Sequence, residues 1–266
     1  MSSSSSSSRE WDAAAYHRLS QPQQSWGKRV LSRLKLRGDE TLLDAGCGTG
    51  RLTAELLGAL PHGRVVGIDL SQNMVQAASL HLVPRFGGHI FVLVADLQAL
   101  PFHRVFDGIF STAAFHWVLD HDSLFRNLHK ALRSGGWLEA QCGGGPNLAR
   151  LRVRVNALAA SLTYAAYLGG FREPWFFSDA DTAAERMRRA GFTEIENSIE
   201  PALTLLDGRE QYRDYLRTFI LHRHLERIPD PDLRNQMLSE LTARAAEDDP
   251  PYSLDYWRLN LHGRAI

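Results

Sequence analysis

Three acids and three glycines are spaced as a ligand site would need. Leu42-Leu43-Asp44-Ala45-Gly46-Cys47-Gly48-Thr49-Gly50 runs an apolar strand into three alternate glycines. Glycine lets the chain turn sharply and lets a ligand approach the backbone. In an open α/β sheet such a turn lies at the carboxyl end of a strand, where ligands bind. Loops that seat a pyrophosphate space their glycines as G-x-G-x-x-G. Here the order is Gly46-x-Gly48-x-Gly50, with Asp44 two residues ahead. A carboxylate there attracts a cationic amino group and opposes a pyrophosphate. Asp69, 19 residues beyond Gly50, ends the next apolar run and can accept hydrogen bonds from both ribose hydroxyls. Asp96 ends the third run and can reach an adenine amino group. Each acid taken alone is equally a helix cap or turn residue. Together, at adjacent strand ends, they define one crevice, for which NAD is the rival ligand. Cys47 lies in a glycine loop ahead of a helix, where a thiol pKa can fall. The simpler reading is a small residue in a tight turn.

The surrounding pattern supplies the scaffold. Short apolar runs at 41–45, 64–68, 90–94, 106–111 and 137–141 predict strands. Helical patterns at 24–34, 51–60, 72–82 and 122–132 alternate with them, the last closed by Gly135-Gly136. Strands alternating with helices mean a mainly parallel sheet covered on both faces. Further helices are expected at 11–19, along an apolar stripe over 148–165, and from a Ser178 cap to Gly191. Residues 192–205 read as extended, 207–228 and 230–247 as helical, and 252–266 as a final strand.

Charge and composition narrow the class. The chain has 266 residues, with 30 basic and 30 acidic side chains. That balance argues against a nucleic-acid partner. Two cysteines, Cys47 and Cys142, make no disulfide framework and suit a reducing cytoplasmic setting. Met1 and seven serines lack the apolar core of a signal peptide. Residues 1–9 are expected to be a disordered tail and 10–266 a single domain. The most apolar helical stretch, 156–168, is too short to span a bilayer, so no membrane partner is expected.

On these residues the chain resembles the class I S-adenosylmethionine-dependent methyltransferases, and more narrowly the trans-aconitate methyltransferase-related group. Residues 42–50 match the family's first motif, and Gly67-Ile68-Asp69-Leu70-Ser71-Gln72-Asn73-Met74 its second strand and turn. Ala95-Asp96-Leu97 matches the adenine-side turn. Leu132-Arg133-Ser134-Gly135-Gly136 matches the stop before the fifth strand, with Ser134 where the family more often has proline. Phe115-His116-Trp117 and the opening Trp11-Asp12-Ala13-Ala14-Ala15-Tyr16, with Gln23 and Trp26-Gly27, look like the narrower group. The resemblance implies a Rossmann-like seven-stranded sheet with an antiparallel last strand, N-terminal helices and a helical lid before that strand. It implies that Asp69 holds the ribose, Asp96 and Leu97 flank the adenine, and Met74 packs on the ring. Tyr16 and Gln23 would close over the methionine end. Asp44, Gly46, Cys47, Gly48, Gly50, Leu70 and Thr112 complete the expected cofactor set, with no metal.

Methyl transfer is an in-line displacement, so alignment supplies much of the rate. A carboxylate acceptor is already ionised, whereas a phenol, amine or carbon acid needs a base. His116 is the histidine expected in that role, with Phe115 and Trp117 placed to surround a sulfonium by cation–π contact. The alternative is a histidine packed in a loop. The insertion at 207–249 is expected to cover the crevice as a lid. Its Arg213 and Arg217, four apart, share a helix face that could bind a polyacid or simply be solvated. Arg223 and two histidines, His222 and His224, follow them. Trp175-Phe176-Phe177 points instead to an apolar pocket or to core packing. Thr112-Ala113-Ala114-Phe115 replaces the Asn/Asp-Pro-Pro-Tyr/Phe segment of amino-directed nucleic-acid enzymes, and no Pro-Cys pair exists for a cytosine-C5 enzyme. The expected function is O-methylation of a small-molecule carboxylate or hydroxyl by a monomer or homodimer. N- or C-methylation, and cofactor binding without catalysis, are the alternatives.

Overall fold

The computed structural model describes residues 10, 11 and 21–266. The serine tail, Tyr16 and the rest of the expected 11–19 helix beyond Trp11 lie outside the described residues.

Alternation of strand and helix builds the sheet. The order is α1 (Gln21–Leu31), β1 (Thr41–Ala45), α2 (Arg51–Gly58), β2 (Arg64–Asp69), α3 (Gln72–Phe86), β3 (Ile90–Val94), β4 (Phe106–Thr112), α4 (His121–Ala131) and β5 (Leu132–Gly143). Strands β1 to β5 run parallel in the order β3-β2-β1-β4-β5. The last strand, β10 (Trp257–Ala265), pairs antiparallel with β5. Neighbouring side chains of a strand take opposite faces. Leu42 accordingly joins Val30, Leu56 and Leu82 under α1, α2 and α3. Leu43 joins Leu128, Phe125 and Met187 under α4 and α7 (Ala180–Ala190). Each fully buried leucine contributes roughly 1.5–3 kcal/mol.

The sheet has eight strands where seven were expected. The extra one arises because the sixth position is interrupted. Strands β6 (Phe192–Thr193) and β7 (Ser198–Pro201) both pair antiparallel along the outer edge of β10. Between them Glu194 takes φ 48° and the chain leaves the ladder. A second difference lies at Gly135-Gly136. Helix α4 ends at Ala131 without them, and Leu132 enters β5 directly opposite Phe106. Burial of Leu132 in the sheet overrides the local stop signal. Gly135 instead takes φ 78° within that strand.

A third core sits over the carboxyl ends of the strands. The stripe over 148–165 forms α5 (Ala149–Ala159) and then breaks, with a single turn α6 (Ala165–Leu168) beyond and Leu162 exposed. The segment before β10 begins at β8 (Thr204–Leu205), which pairs with β9 (Ser253–Leu254) as a two-stranded neck. Above that neck lie α8 (Gly208–Tyr215), a wide π turn at Leu216–Ile220, α9 (His222–Glu226) and α10 (Pro231–Ala246). Leu151, Val155 and Leu158 of α5 pack with Tyr212, Leu216, Leu238 and Leu241 of this segment. The cap is therefore made of two chain segments rather than of 207–249 alone. Among the described residues no helix is long and apolar enough to cross a membrane.

Candidate active site

The glycine loop is pinned over the end of β2. The backbone N–H groups of Gly46 and Cys47 both donate to Ile68 O at 2.8 Å. Gly46, Gly48 and Gly50 take φ of 89°, 54° and 81°, a region closed to most side chains. A Cβ on Gly46 would collide with Ala114 Cβ. Asp69 ties loop to helix. Its Oδ2 accepts from Gly48 N at 3.0 Å and its Oδ1 from Ser71 N at 2.9 Å. Burial raises the Asp69 pKa against those hydrogen bonds.

Asp44 is buried, and Thr53 Oγ1 donates to its Oδ2 at 2.6 Å. Burial raises its pKa to about 7, with the Asp69 charge adding and the Thr53 bond opposing. Gln23 lines the same narrow cleft. Its Nε2 donates to Tyr215 Oη at 2.7 Å, and its Oε1 is buried without a hydrogen-bond partner. This cleft opens past Gly46, Gly48, Thr112 and Ala113 into a cavity of about 500 Å³. Along one end of the cavity lie Asp69, Leu70, Met74, Asp96, Leu97 and Gln98. Asp96 Oδ1 accepts from Gln98 N at 2.8 Å.

The opposite wall comes from the exit of β4 and from the cap. Ala114, Trp117, Val118 and Leu119 line it with Trp11 and Arg223. Trp11 stands edge-on to Trp117 at 5.3 Å and against His222 at 4.4 Å. Glu10 anchors this tryptophan by accepting from Ser71 Oγ and Asn73 N, both at 3.1 Å, at the start of α3. A carboxylate suits that helix end. Arg223 pairs with Glu226 on its own helix at 3.3 Å.

A methyltransferase domain model matches residues 43–140, the span from the glycine loop to β5. An uncharacterized methyltransferase of Schizosaccharomyces pombe is 29% identical over 260 residues, covering 94% of this chain and 95% of the relative. A trans-aconitate 2-methyltransferase of Methylobacterium nodulans is 26% identical over 253 residues, 91% of either chain. The chain is a class I S-adenosylmethionine-dependent methyltransferase related to the trans-aconitate group. Its fold is also that of Haemonchus contortus phosphoethanolamine N-methyltransferase 2, solved in complex with S-adenosyl-L-methionine. That likeness has 17% identity and a TM-score of 0.63, and it covers 96% of this chain and 57% of that one.

The methyltransferase's cleft suits this cofactor. A buried carboxylate with a raised pKa and the orphaned Gln23 Oε1 face the same space, which an ammonium would satisfy. Gly46, Gly48, Asp69, Leu70, Met74, Asp96, Leu97 and Thr112 line the main cavity, and Asp44, Gln23 and Cys47 the narrow cleft. Gly50 is buried behind them as the left-handed cap of α2. The Cys47 thiol is not activated. Burial and then the Asp44 and Asp69 charges push its pKa well above the usual value.

The acceptor side differs from expectation. Phe115 is fully buried in the core against Phe125 and does not line the cavity. His116 Nδ1 accepts from Gly143 N at 3.3 Å, and its ring lies between Trp117 and Phe177 rather than in the cavity wall. Trp175 is one layer behind Trp117, at 5.9 Å, with Nε1 donating to Glu173 Oε2. Arg213 and Arg217 both donate to Asn235 Oδ1 on α10, at 3.2 and 3.4 Å, outside the cavity. Arg223 stands in the wall instead. Between them the helix widens into the π turn and then bends at Leu221, so α9 does not continue the phase of α8. Spacing that assumes a continuous α-helix over 207–228 cannot find Arg223. Trp11 was legible only as part of the family's opening motif.

Proposed function

We propose that this methyltransferase esterifies a carboxylate of a small molecule. The observation that carries it is the acceptor wall. Among the described residues there, Arg223 is the ionisable side chain, and no histidine, lysine, tyrosine or glutamate lines the cavity. A guanidinium suits a carboxylate acceptor, which needs no base. The relation to a trans-aconitate 2-methyltransferase supports an acid as substrate.

S-adenosyl-L-methionine supplies a methyl group activated on a sulfonium. Asp44 and Gln23 Oε1 would hold its ammonium, Asp69 the ribose hydroxyls, and Asp96, Leu97 and Met74 the adenine. Tyr16 would close over the methionine end. Trp117 and Trp11 line the same cavity and would flank the cationic centre and exclude water. Arg223 holds one carboxylate oxygen and leaves the other to attack. Bound there, the cofactor would supply the methyl group to that oxygen, its sulfur keeping the electron pair of the broken methyl–sulfur bond as the C–O bond forms, and no side chain need take a proton. The cap, including 207–249, would close over both ligands.

The test uses cofactor with a tritiated methyl group, a small-molecule metabolite extract as acceptor, and Asp69→Ala as control. Volatile tritium released by alkali from the wild-type reaction alone is the expected result. Label that survives alkali would instead show phenol, nitrogen or carbon methylation.

A further inference from the structure

The same wall carries a statement about which acids enter, resting on the carboxylate reading above. Its surface is mostly ring and aliphatic. Trp11, Trp117, Val118 and Leu119 supply it, and Leu119 is 55% exposed. The rings are held in place. Trp117 meets Trp11 edge-on at 5.3 Å and Trp175 at 5.9 Å, and Trp175 is fixed in turn by Glu173 at 3.2 Å. A preorganised aromatic wall rewards a flat or apolar body.

Among the described residues positive charge is scarce there. Arg223, 20% exposed, already has Glu226 as a partner. Five other arginines of the cap are engaged elsewhere. Arg213 and Arg217 reach Asn235, Arg152 grips Glu173 through two nitrogens, and Arg150 and Arg154 pair with Asp248. A second or third carboxylate carried into this cavity would meet rings and aliphatic carbons among the described residues. Its desolvation would go uncompensated.

We infer that the acceptor is an apolar or aromatic monocarboxylate, seated with its carboxylate on Arg223 and its body on Trp117, and that tricarboxylates are poor substrates. The chain would then have diverged in specificity from relatives named for trans-aconitate.

The experiment sets a panel of aryl and alkyl monocarboxylates, with trans-cinnamate at its centre, against trans-aconitate and citrate. The full chain is used, and alkali-labile tritium from labelled cofactor is the readout. The expected kcat/KM for the best monocarboxylate exceeds that for trans-aconitate by at least about tenfold. Arg223→Ala should raise KM for that acid by about thirty-fold while S-adenosylhomocysteine affinity stays within about threefold. Trp117→Ala should shrink the preference between the two classes, and Trp117→Phe should restore it. Preference for trans-aconitate, or Arg223→Ala without effect on KM, overturns this inference and leaves carboxyl methylation standing. No alkali-labile product from any acid, with S-adenosylhomocysteine still bound, overturns both.

Discussion

Acidifying the solution from pH 8 to pH 6 should weaken S-adenosylhomocysteine binding about tenfold, and Asp44→Asn should remove that dependence. Asp44 is 2% exposed, and burial raises its pKa to about 7 in the free protein. If only the ionised carboxylate pairs with the cofactor ammonium, the apparent Kd scales with one plus the ratio of protonated to ionised Asp44. That factor is about 11 at pH 6, about 2 at pH 7 and close to 1 at pH 8. The effect on stability has the opposite sign. A folded pKa raised above the unfolded value contributes stability below pH 3.8, and that contribution is lost as pH rises through about 7. About three pKa units correspond to about 4 kcal/mol. Asp44→Asn keeps an acceptor for Thr53 and removes the buried charge. It should therefore raise the unfolding temperature of the free protein at pH 8 by several degrees while abolishing tight cofactor binding. Calorimetric titration with S-adenosylhomocysteine at pH 6, 7 and 8, and thermal unfolding of both proteins, give the two numbers. A wild-type Kd constant within twofold across this range would refute the reasoning, as would an Asn variant that binds normally.

Gly46→Ala should remove cofactor binding and lower stability by about 2 kcal/mol, because φ 89° is strained for alanine and its Cβ meets Ala114. Thermal unfolding with and without S-adenosylhomocysteine measures both effects. Arg213→Ala and Arg217→Ala should leave kcat/KM within about twofold, since both side chains are held by Asn235 outside the cavity. A large rise in KM would place the substrate on that face. His116→Gln, which retains an acceptor for Gly143 N–H, should change kcat by less than about threefold. A hundredfold loss with a new pH limb would make it a base. The Cys142 thiol of the native protein should not react with a maleimide at pH 8, since it is 1% exposed and burial pushes its pKa up to about 12. Rapid labelling of Cys142 before unfolding would contradict the packing around it.

The elements around the glycine loop were legible because local chemistry dictates them. A strand that ends in Asp44 and alternate glycines can turn only one way over β2. The acids at 69 and 96 then fall at neighbouring strand ends by the regularity of the βαβ repeat. Legibility failed where neighbours outvoted the local signal. Gly135-Gly136 looked like a helix stop, yet Leu132 was taken up by the sheet one turn earlier. The sixth strand looked continuous, yet the chain leaves β10 at Glu194. Phe115 and Trp117 read as a matched pair in sequence. A short helical turn sends Phe115 into the core and Trp117 into the cavity.

The amino-acid order specified the parallel sheet, the crevice at its strand ends and the class of cofactor. Those depend on spacings of a few residues between glycine, carboxylate and apolar runs, and such spacings survive translation into space through fixed strand and loop geometry. The tertiary structure alone decided the acceptor side. There the wall is assembled from residues 11, 114, 117–119 and 223, brought together by the packing of the cap over the strand ends. The helix is interrupted by the π turn and by the bend at Leu221, beyond which Arg223 lies in the cavity wall, while Arg213 and Arg217 before it are tied to a neighbouring helix. Side chains so far apart in the chain share no local signal, and their meeting depends on how two helical segments bury a common core.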